Sequence, residues 1–194
     1  MTGWIRKPGE GRYAHSERER RFLLAHLPDG ATDPRLVKDR YLSGTRLRLR
    51  KVSAGASVTY KLTQKVRPDP GDPGTLRTTN IYLDRFEYEV LAGLPADELA
   101  KTRSDLVHDG RLFAIDEFHG ELSGLLLAET EVAGVRDQVE VPSFALREVT
   151  SDSRYFGGAL ALARAVEVEE LIEPIPAVAP RSVPPGLETR PPRL

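Results

Sequence analysis

The chain has 194 residues, of which 40% are hydrophobic and 29% charged, and this is the composition of an ordinary globular domain. Its formal net charge of −1 argues against a generally basic protein that binds nucleic acid or an anionic membrane surface. It contains no cysteine, which excludes disulfide and thiolate chemistry and fits a reducing compartment, so we expect a cytoplasmic protein.

One folded domain with two flanking segments is expected. Residues 1–12 are rich in glycine and predict a flexible lead-in. Residues 13–172 carry the periodic patterns of a folded domain, whereas residues 173–194 are proline-rich and predict a disordered tail. No apolar run has the length of a signal peptide or a transmembrane helix.

Short strands separated by turn residues dominate the first half of the domain. Strands are expected at about 13–24, 45–52, 57–66 and 75–83. The turn Ala54-Gly55-Ala56 joins two of them as a hairpin. Residues 35–42 are compatible with a short strand or with a helical turn followed by a strand, and both alternatives stay open.

A helix and a second hairpin follow. Asp84 is placed to cap a helix over about 85–92, and Gly93 follows its end. Asp109-Gly110 predicts a tight hairpin turn. The later strands are expected at about 98–107, 111–118, 125–132 and 148–150.

The C-terminal part of the domain predicts one more helix. It is expected to open at Gly157-Gly158 and to reach about Leu171, with Leu160, Ala163 and Val166 along one side. Together the elements predict an α+β fold, an eight-stranded antiparallel β-barrel that forms a tunnel, with a few helices packed outside.

Charged residues recur at every second position of several strands, so each strand presents its charges on one face. The cations in this pattern are Arg46, Arg48, Arg50, Lys61, Lys65, Lys101 and Arg103. The carboxylates are Glu17, Glu19, Asp116, Glu129 and Glu131.

This alternation has two interpretations. In a half-solvated sheet, Leu47 and Leu49 lie in a core and the arginines face water. In a wide barrel, the charges point inward and the leucines lie under covering helices. Recurrence in five strands, with acids in some and bases in others, favours the second interpretation.

An inward charged face suits a polyphosphate and its metal ion. Burying a triphosphate requires fixed positive charge, which the arginines and lysines supply through charge-assisted contacts. Carboxylates in the same cavity repel phosphate unless a cation bridges them, so they imply Mg²⁺ or Mn²⁺. The expected partner is therefore a small molecule that contains a triphosphate, with no membrane or nucleic acid involved.

The segment Glu17-x-Glu19-x-Arg21-Phe-Leu-Leu resembles the opening signature of the CYTH superfamily, the triphosphate tunnel metalloenzymes, which reads Glu-x-Glu-x-Lys. Further stretches match the order of that family. They are Tyr41-Leu42, Arg46-x-Arg48-x-Arg50, Thr63-Gln64-Lys65, Lys101-x-Arg103, Ile115-Asp116-x-Phe118, Gly124-Leu125 leading to Glu129-x-Glu131, and Glu148-Val149-Thr150 before Arg154-Tyr155. The resemblance spans about residues 14–165.

The resemblance implies an eight-stranded tunnel that hydrolyses a triphosphate, and it assigns roles to the charged residues. Glu17, Glu129 and Glu131 are expected to hold the metal ion. Glu19, Arg21 and Asp116 are expected to be catalytic, with Glu19 serving a second metal ion or the attacking water. The phosphate-binding set is Arg46, Arg48, Arg50, Lys61, Lys65, Lys101 and Arg103.

Two departures from the family pattern bear on activity. Arg21 stands where the family usually has lysine. The fifth strand often reads Arg-x-Glu-x-Glu in the family, and here Thr79 and Ile81 are expected at the two acidic positions. Three hypotheses follow: a metal-dependent triphosphatase, a catalytically weak module that binds polyphosphate or nucleotide, and an adenylyl cyclase on the same fold.

Overall fold

The computed structural model describes residues 7–69, 71–72, 74–134, 137 and 139–172. The predicted proline-rich tail and the first half of the lead-in lie outside the described residues. The strands are β1 (His15–Leu23), β2 (Thr32–Leu42), β3 (Leu47–Ala54), β4 (Ser57–Val66), β5 (Thr75–Leu83), β6 (Ala96–His108), β7 (Arg111–Phe118), β8 (Leu126–Glu131) and β9 (Arg147–Glu148). The helices are α1 (Arg85–Ala92), α2 (Gly157–Leu160) and α3 (Ala165–Ile172).

The first eight strands close into an antiparallel barrel, which confirms the predicted fold class. Their order is β5-β4-β3-β2-β6-β7-β8-β1, and β1 returns to pair with β5. The short β9 pairs with the end of β1 on the side opposite to β8. Because side chains alternate along a strand, closure sends every second side chain of each strand into the interior.

Residues 32–42 form one continuous strand, so the alternative with a helical turn is wrong. β2 is bonded on both sides, to β3 and to β6, which secures its backbone groups along most of its length. A register irregularity between Thr32 and Arg35, where Asp33 has a φ of 53°, marks a bulge at its start. Successive side chains of β2 therefore point alternately into the barrel and out of it.

The C-terminal helix is interrupted, which corrects the prediction of one helix from residue 157 to 171. A new helix start forms because two carboxylates accept backbone N–H groups there: Glu167 from Arg164 at 2.8 Å and Glu121 from Ala165 at 3.1 Å. Val166, expected on the apolar side, is 69% exposed, and Val168 is buried instead.

Apolar side chains fill one end of the barrel interior. Strand residues from that end meet the C-terminal segment in a cluster of Leu23, Leu99, Phe118, Leu122, Leu125, Leu127, Val149, Tyr155, Leu160, Val168 and Leu171. The helices that follow β9 thus close this end of the barrel.

A second apolar cluster lies on the outer face of the barrel. It contains Phe22, Leu24, Leu106, Phe113, Ile115 and Ala128. Its cover is the loop that carries Val139, Phe144 and Ala145, so on this side a loop takes the place of the expected helix. In the described part of the chain, no helix combines the length and the hydropathy needed to cross a membrane.

Candidate active site

The barrel interior holds a cavity of about 380 Å³ to which all eight barrel strands contribute side chains. Nine cations line it: Arg21, Arg46, Arg48, Arg50, Lys61, Lys65, Arg67, Lys101 and Arg103. Four carboxylates line it: Glu17, Glu19, Glu129 and Glu131. The interpretation with arginines in water is therefore wrong. All predicted site residues line this cavity except Asp116.

Glu129 lies between two arginines. Arg21 donates through Nε to Oε1 of Glu129 at 2.8 Å, and Arg103 donates through Nη2 to Oε2 at 2.7 Å. Burial alone raises the pKa of this carboxyl, but Arg21 and Arg103 hold its pKa well below its usual range. Both oxygens of Glu129 are thus engaged by the protein.

Asp116 lies behind the cavity wall, with no exposed surface. It accepts from Nε of Arg103 at 2.7 Å and from Nζ of Lys101 at 2.5 Å. Burial raises its pKa, yet Arg103 and Lys101 outweigh burial and lower it. Burial also lowers the pKa of Lys101, to about 8, because the attraction of Asp116 only partly offsets it. Asp116 therefore contacts the cations of the site and not the cavity.

Asp39 on β2 binds the arginines of β3 as Asp116 binds the cations of β6. It is not among the predicted site residues. Its carboxylate accepts hydrogen bonds from Nε and Nη2 of Arg50, each at 2.6 Å. Nε of Arg48 lies 3.7 Å from Oδ1 of Asp39. Although burial raises its pKa, Arg50 and Arg48 lower it strongly. The sequence signal for Asp39 is weak, because the face of β2 that carries it also carries Val37 and Tyr41.

Glu17 and Glu19 converge on one lysine. Nζ of Lys65 is 3.0 Å from Oε1 of Glu19 and 3.4 Å from Oε2 of Glu17. Thr78 also donates to Oε2 of Glu17 at 2.8 Å. Burial raises the pKa of Glu17, but Lys65 and the hydroxyl of Thr78 lower it on balance. The two acids thus share one cation, the ammonium of Lys65.

Three of the lining cations, Arg46, Lys61 and Arg67, make no ion pair with a carboxylate among the described residues. Lys61 is half-buried, and burial together with Arg50 and Arg48 lowers its pKa to about 8. Arg67 was missed by the sequence analysis; its guanidinium lies over the ring of Phe156 at 3.8 Å from the centroid. Burial and Arg21 lower the pKa of Arg67. The cavity therefore carries positive charge that no carboxylate among the described residues neutralises.

Tyr41 closes the cavity against the C-terminal segment. A Cβ placed on Gly157 would lie 1.9 Å from the hydroxyl oxygen of Tyr41, so any larger residue would displace the tyrosine. Gly158, by contrast, leaves ordinary van der Waals space, with 3.8 Å to the nearest atom. Gly157 thus allows the tyrosine and the closing segment to pack together.

Comparison with known proteins identifies the family to which this charged barrel belongs. No protein-family model matches the chain. The chain is 35% identical over 159 residues to the inorganic triphosphatase of Nitrosomonas europaea, a match that covers 76% of this chain and 97% of that protein. The chain belongs to the CYTH superfamily, the triphosphate tunnel metalloenzymes.

Solved structures agree with this assignment. The crystal structure of the inorganic triphosphatase NE1496 has a TM-score of 0.53 and 30% identity, covering 76% of this chain and 95% of that chain. A second crystal structure, described as the hypothetical protein NE1496, has a TM-score of 0.54 and 31% identity over 76% and 99% of the two chains.

The departure from the CYTH pattern on β5 persists, but its register differs from the prediction. Thr79 and Ile81 do not line the cavity, and Ile81 is 53% exposed. The inward residues of β5 are Leu76, Thr78 and Asn80. This strand therefore supplies hydroxyl and amide groups to the cavity and no carboxylate.

The other departure is Arg21, which stands where the family usually has lysine. Its guanidinium is wide enough to contact two partners at once. In addition to its bond to Glu129, Arg21 donates through Nη1 to the carbonyl oxygen of Tyr155 at 3.1 Å. It thereby joins β8 to the segment that closes the barrel, which the single ammonium of lysine does less readily.

The metal ion expected of this family fits only in company with phosphate. Among the described residues, no group of three or more His, Cys, Asp or Glu side chains is arranged to hold a metal ion. Glu17 and Glu19 nevertheless place two carboxylates around one cation, the ammonium of Lys65. Mg²⁺ commonly uses one or two carboxylates and takes its other ligands from substrate phosphates and water. The donor set matches that mode of binding.

Proposed function

We propose that this protein hydrolyses inorganic triphosphate in the barrel cavity with the help of Mg²⁺ or Mn²⁺. Its assignment as a triphosphatase-type phosphohydrolase follows from the 35% identity to the Nitrosomonas enzyme across nearly the whole of that protein. The single observation that carries the choice of ligand is the excess of nine cations over four carboxylates in a cavity of about 380 Å³. A triphosphate carries the negative charge that this excess requires.

The surroundings of the cavity favour an unsubstituted triphosphate over a nucleotide. Phe118 and Tyr155 are buried, with 3% and 1% exposure, and the face of the Phe156 ring is covered by Arg67. Tyr41 packs against Gly157. Each aromatic residue that lines the cavity is therefore buried or already in contact with protein on its ring, which disfavours stacking of a base.

The lining cations form two groups, those that protein carboxylates hold in a fixed orientation and those that adapt to the phosphates. Arg50, Lys101 and Arg103 are fixed by Asp39 and Asp116, and Arg21 is fixed by Glu129, so these four are oriented before the substrate arrives. Arg46, Arg48, Lys61, Lys65 and Arg67 are the more adaptable cations that contact the phosphates. In this scheme Asp116 is a positioning residue, because the cations it holds stand between it and the cavity.

Glu17, Glu19 and Glu131 are the carboxylates we assign to the metal ion. Glu129 is the predicted metal ligand that the geometry supports least, because both of its oxygens accept from arginines. When bound, the metal ion neutralises phosphate oxygens and polarises the terminal phosphoryl group. Glu17 and Glu19 would hold the metal ion where they now contact Lys65, and the ammonium of Lys65 would then be free to bind phosphate. Glu19 has the alternative role of orienting the attacking water, in which case Glu17 and Glu131 hold the metal ion.

The side chains of β5 support a second candidate function, a module that binds triphosphate without hydrolysing it. That strand contributes Thr78 and Asn80 to the cavity and no carboxylate, whereas many family members carry two acids on this strand. With fewer carboxylates, positioning of the metal ion or of the water is weaker.

Phosphate release separates the two candidates. The purified protein is incubated with inorganic triphosphate, ATP or thiamine triphosphate, each with Mg²⁺, with Mn²⁺ or with chelator. The proposal expects the highest kcat/KM for inorganic triphosphate and no release with chelator. Tight calorimetric binding of triphosphate without release under any condition would establish the binding module instead.

A further inference from the structure

A groove on the outside of the barrel adjoins the cavity, and cations dominate its walls. It is formed by the segment 7–11, the residues around the end of β4, and Arg77 on β5. Its volume is about 960 Å³. Its cations are Lys7, Arg46, Lys65, Arg67 and Arg77.

The groove and the cavity share three cations, Arg46, Lys65 and Arg67. These residues lie at the same end of neighbouring strands, before β3 and at or just after the end of β4. An anion that contacts them from inside the barrel is therefore adjacent to the groove outside. Positive charge continues from the cavity to the surface without an intervening carboxylate, apart from Glu19 and Glu17 at Lys65.

The segment 7–11 is held in place as the outer wall. The backbone N–H of Gly9 donates to Oε1 of Gln64 on β4 at 3.2 Å. A Cβ on Gly9 would lie 3.2 Å from Cβ of Arg77 and 3.3 Å from Cβ of Val66, and the φ of Gly9 is +85°. Glycine is thus required for this close crossing of β4 and β5.

The charge of the groove has little compensation. Glu10 is the only carboxylate among the groove residues, and it accepts the backbone N–H of Lys7 at 2.9 Å. Lys7 and Arg77 are exposed and make no ion pair with a carboxylate among the described residues. The groove residues include no aromatic side chain, so the groove provides no platform for a nucleobase.

We propose that this groove binds the phosphates beyond the third of a linear inorganic polyphosphate whose end lies in the cavity. The inference rests on the proposed function and extends its substrate class. A phosphoanhydride chain carries a negative charge on every unit, which matches a row of cations that runs from the cavity to the surface. Hydrolysis adds water across the terminal P–O–P bond and yields orthophosphate and a chain shortened by one phosphate.

Calorimetry with two ligands tests the groove. The full-length protein, with Mg²⁺, is titrated with triphosphate and with a linear polyphosphate of defined, greater length. The double variant Lys7→Gln/Arg77→Gln removes two groove cations and leaves every cavity residue in place. The expected result is a Kd for the longer chain that rises about 3- to 30-fold, with an unchanged Kd for triphosphate.

The matched control removes two exposed cations elsewhere. Lys38 and Arg85 are exposed and lie outside the groove and the cavity, so Lys38→Gln/Arg85→Gln should leave both Kd values unchanged. Equal affinity of the wild type for both chain lengths, or an equal loss for both in the groove variant, would overturn the proposal. Binding is measured apart from phosphate release, so absence of triphosphate hydrolysis would refute the proposed function and leave the groove test intact.

The same titration with a 5′-triphosphorylated oligoribonucleotide tests whether the groove binds RNA instead. A 5′-triphosphorylated oligoribonucleotide also carries phosphates beyond the third, but they are more widely spaced and bear bases. If it bound more tightly than polyphosphate and depended on Lys7 and Arg77, the assignment to polyphosphate would be wrong.

Discussion

Glu19 on β1 and Glu131 on β8 are directly opposite each other in the antiparallel ladder, and both line the cavity. Two like charges in this arrangement destabilise a sheet. The neighbouring pair in the same ladder, Arg21 and Glu129, carries opposite charges and forms an ion pair with 2.6 Å between Nη2 and Oε1. Lys65 already contacts Glu19, whereas Glu131 makes no ion pair among the described residues, so we expect a cation from outside the protein at Glu131.

Replacement of Glu131 tests this pair. Glu131→Gln should lower kcat/KM for triphosphate with Mg²⁺ by about 10- to 100-fold, because the metal ion loses a carboxylate. Without metal ion, the same variant should be as stable as the wild type or more stable by about 0.2–1 kcal/mol, since the repulsion is relieved. The control is Glu117→Gln on the outward side of β7, where neither quantity should change. A variant that loses stability together with activity would show that Glu131 is structural.

The buried pair of Asp39 and Arg50 should contribute strongly to stability. Asp39→Asn leaves Arg50 buried without its anion, so the free energy of unfolding should fall by about 3–5 kcal/mol in urea titrations at neutral pH. The folded-state pKa of Asp39 lies below its ordinary value of 3.8. The stabilisation is therefore complete above that ordinary value and disappears as the pH falls through the folded-state pKa.

The control for Asp39 is Asp109→Asn in the β6–β7 turn. The Asp109 side chain is 92% exposed, and asparagine tolerates its φ of 50°. Its effect should stay within about 0.5 kcal/mol. A difference between wild type and Asp39→Asn that grew on acidification would contradict the account.

Lys61 makes substrate affinity depend on pH. Its pKa of about 8 means that it loses its charge as the pH rises through that value, so the KM for triphosphate should increase above pH 8. In Lys61→Arg the charge persists, and the increase of KM between pH 7 and pH 9 should be smaller, with Lys101 responsible for what remains. An identical KM profile in Lys61→Arg would remove Lys61 from substrate binding.

Gly157 is required by its contact with Tyr41. Gly157→Ala places a methyl group 1.9 Å from the tyrosine hydroxyl oxygen and should destabilise the protein by about 1–3 kcal/mol. Gly158→Ala, with 3.8 Å of space at the corresponding atom, is the matched control and should be close to neutral. Equal thermal denaturation of the two variants would show that Tyr41 does not close the cavity against this segment.

Strong local alternation made much of this fold predictable. β4 and β5 begin and end at the predicted residues, and α1 follows Asp84, whose side chain accepts the N–H of Glu87 at 2.8 Å. The inward charges of β3 and β6 followed from their period of two. In these segments, local propensity and barrel closure favour the same structure.

Sequence reasoning failed where tertiary contacts decide. Asp39 was missed because β2 mixes charged and apolar residues on both faces, and only its two neighbouring strands show which face is inside. Arg67 continues the alternation of Lys61, Thr63 and Lys65, but it lies past the end of β4 and precedes Pro68, so it was not counted with the strand. The break before α3 depends on Glu121, more than 40 residues earlier in the chain.

The central claim, that the barrel interior is the triphosphate site, is tested most directly by a crystal structure of Glu131→Gln with triphosphate and Mg²⁺. The account predicts three phosphate groups inside the barrel, in contact with Arg48, Lys61 and Lys65. Triphosphate bound only outside the barrel at saturating concentration, with Lys65 still paired to Glu17 and Glu19, would contradict it.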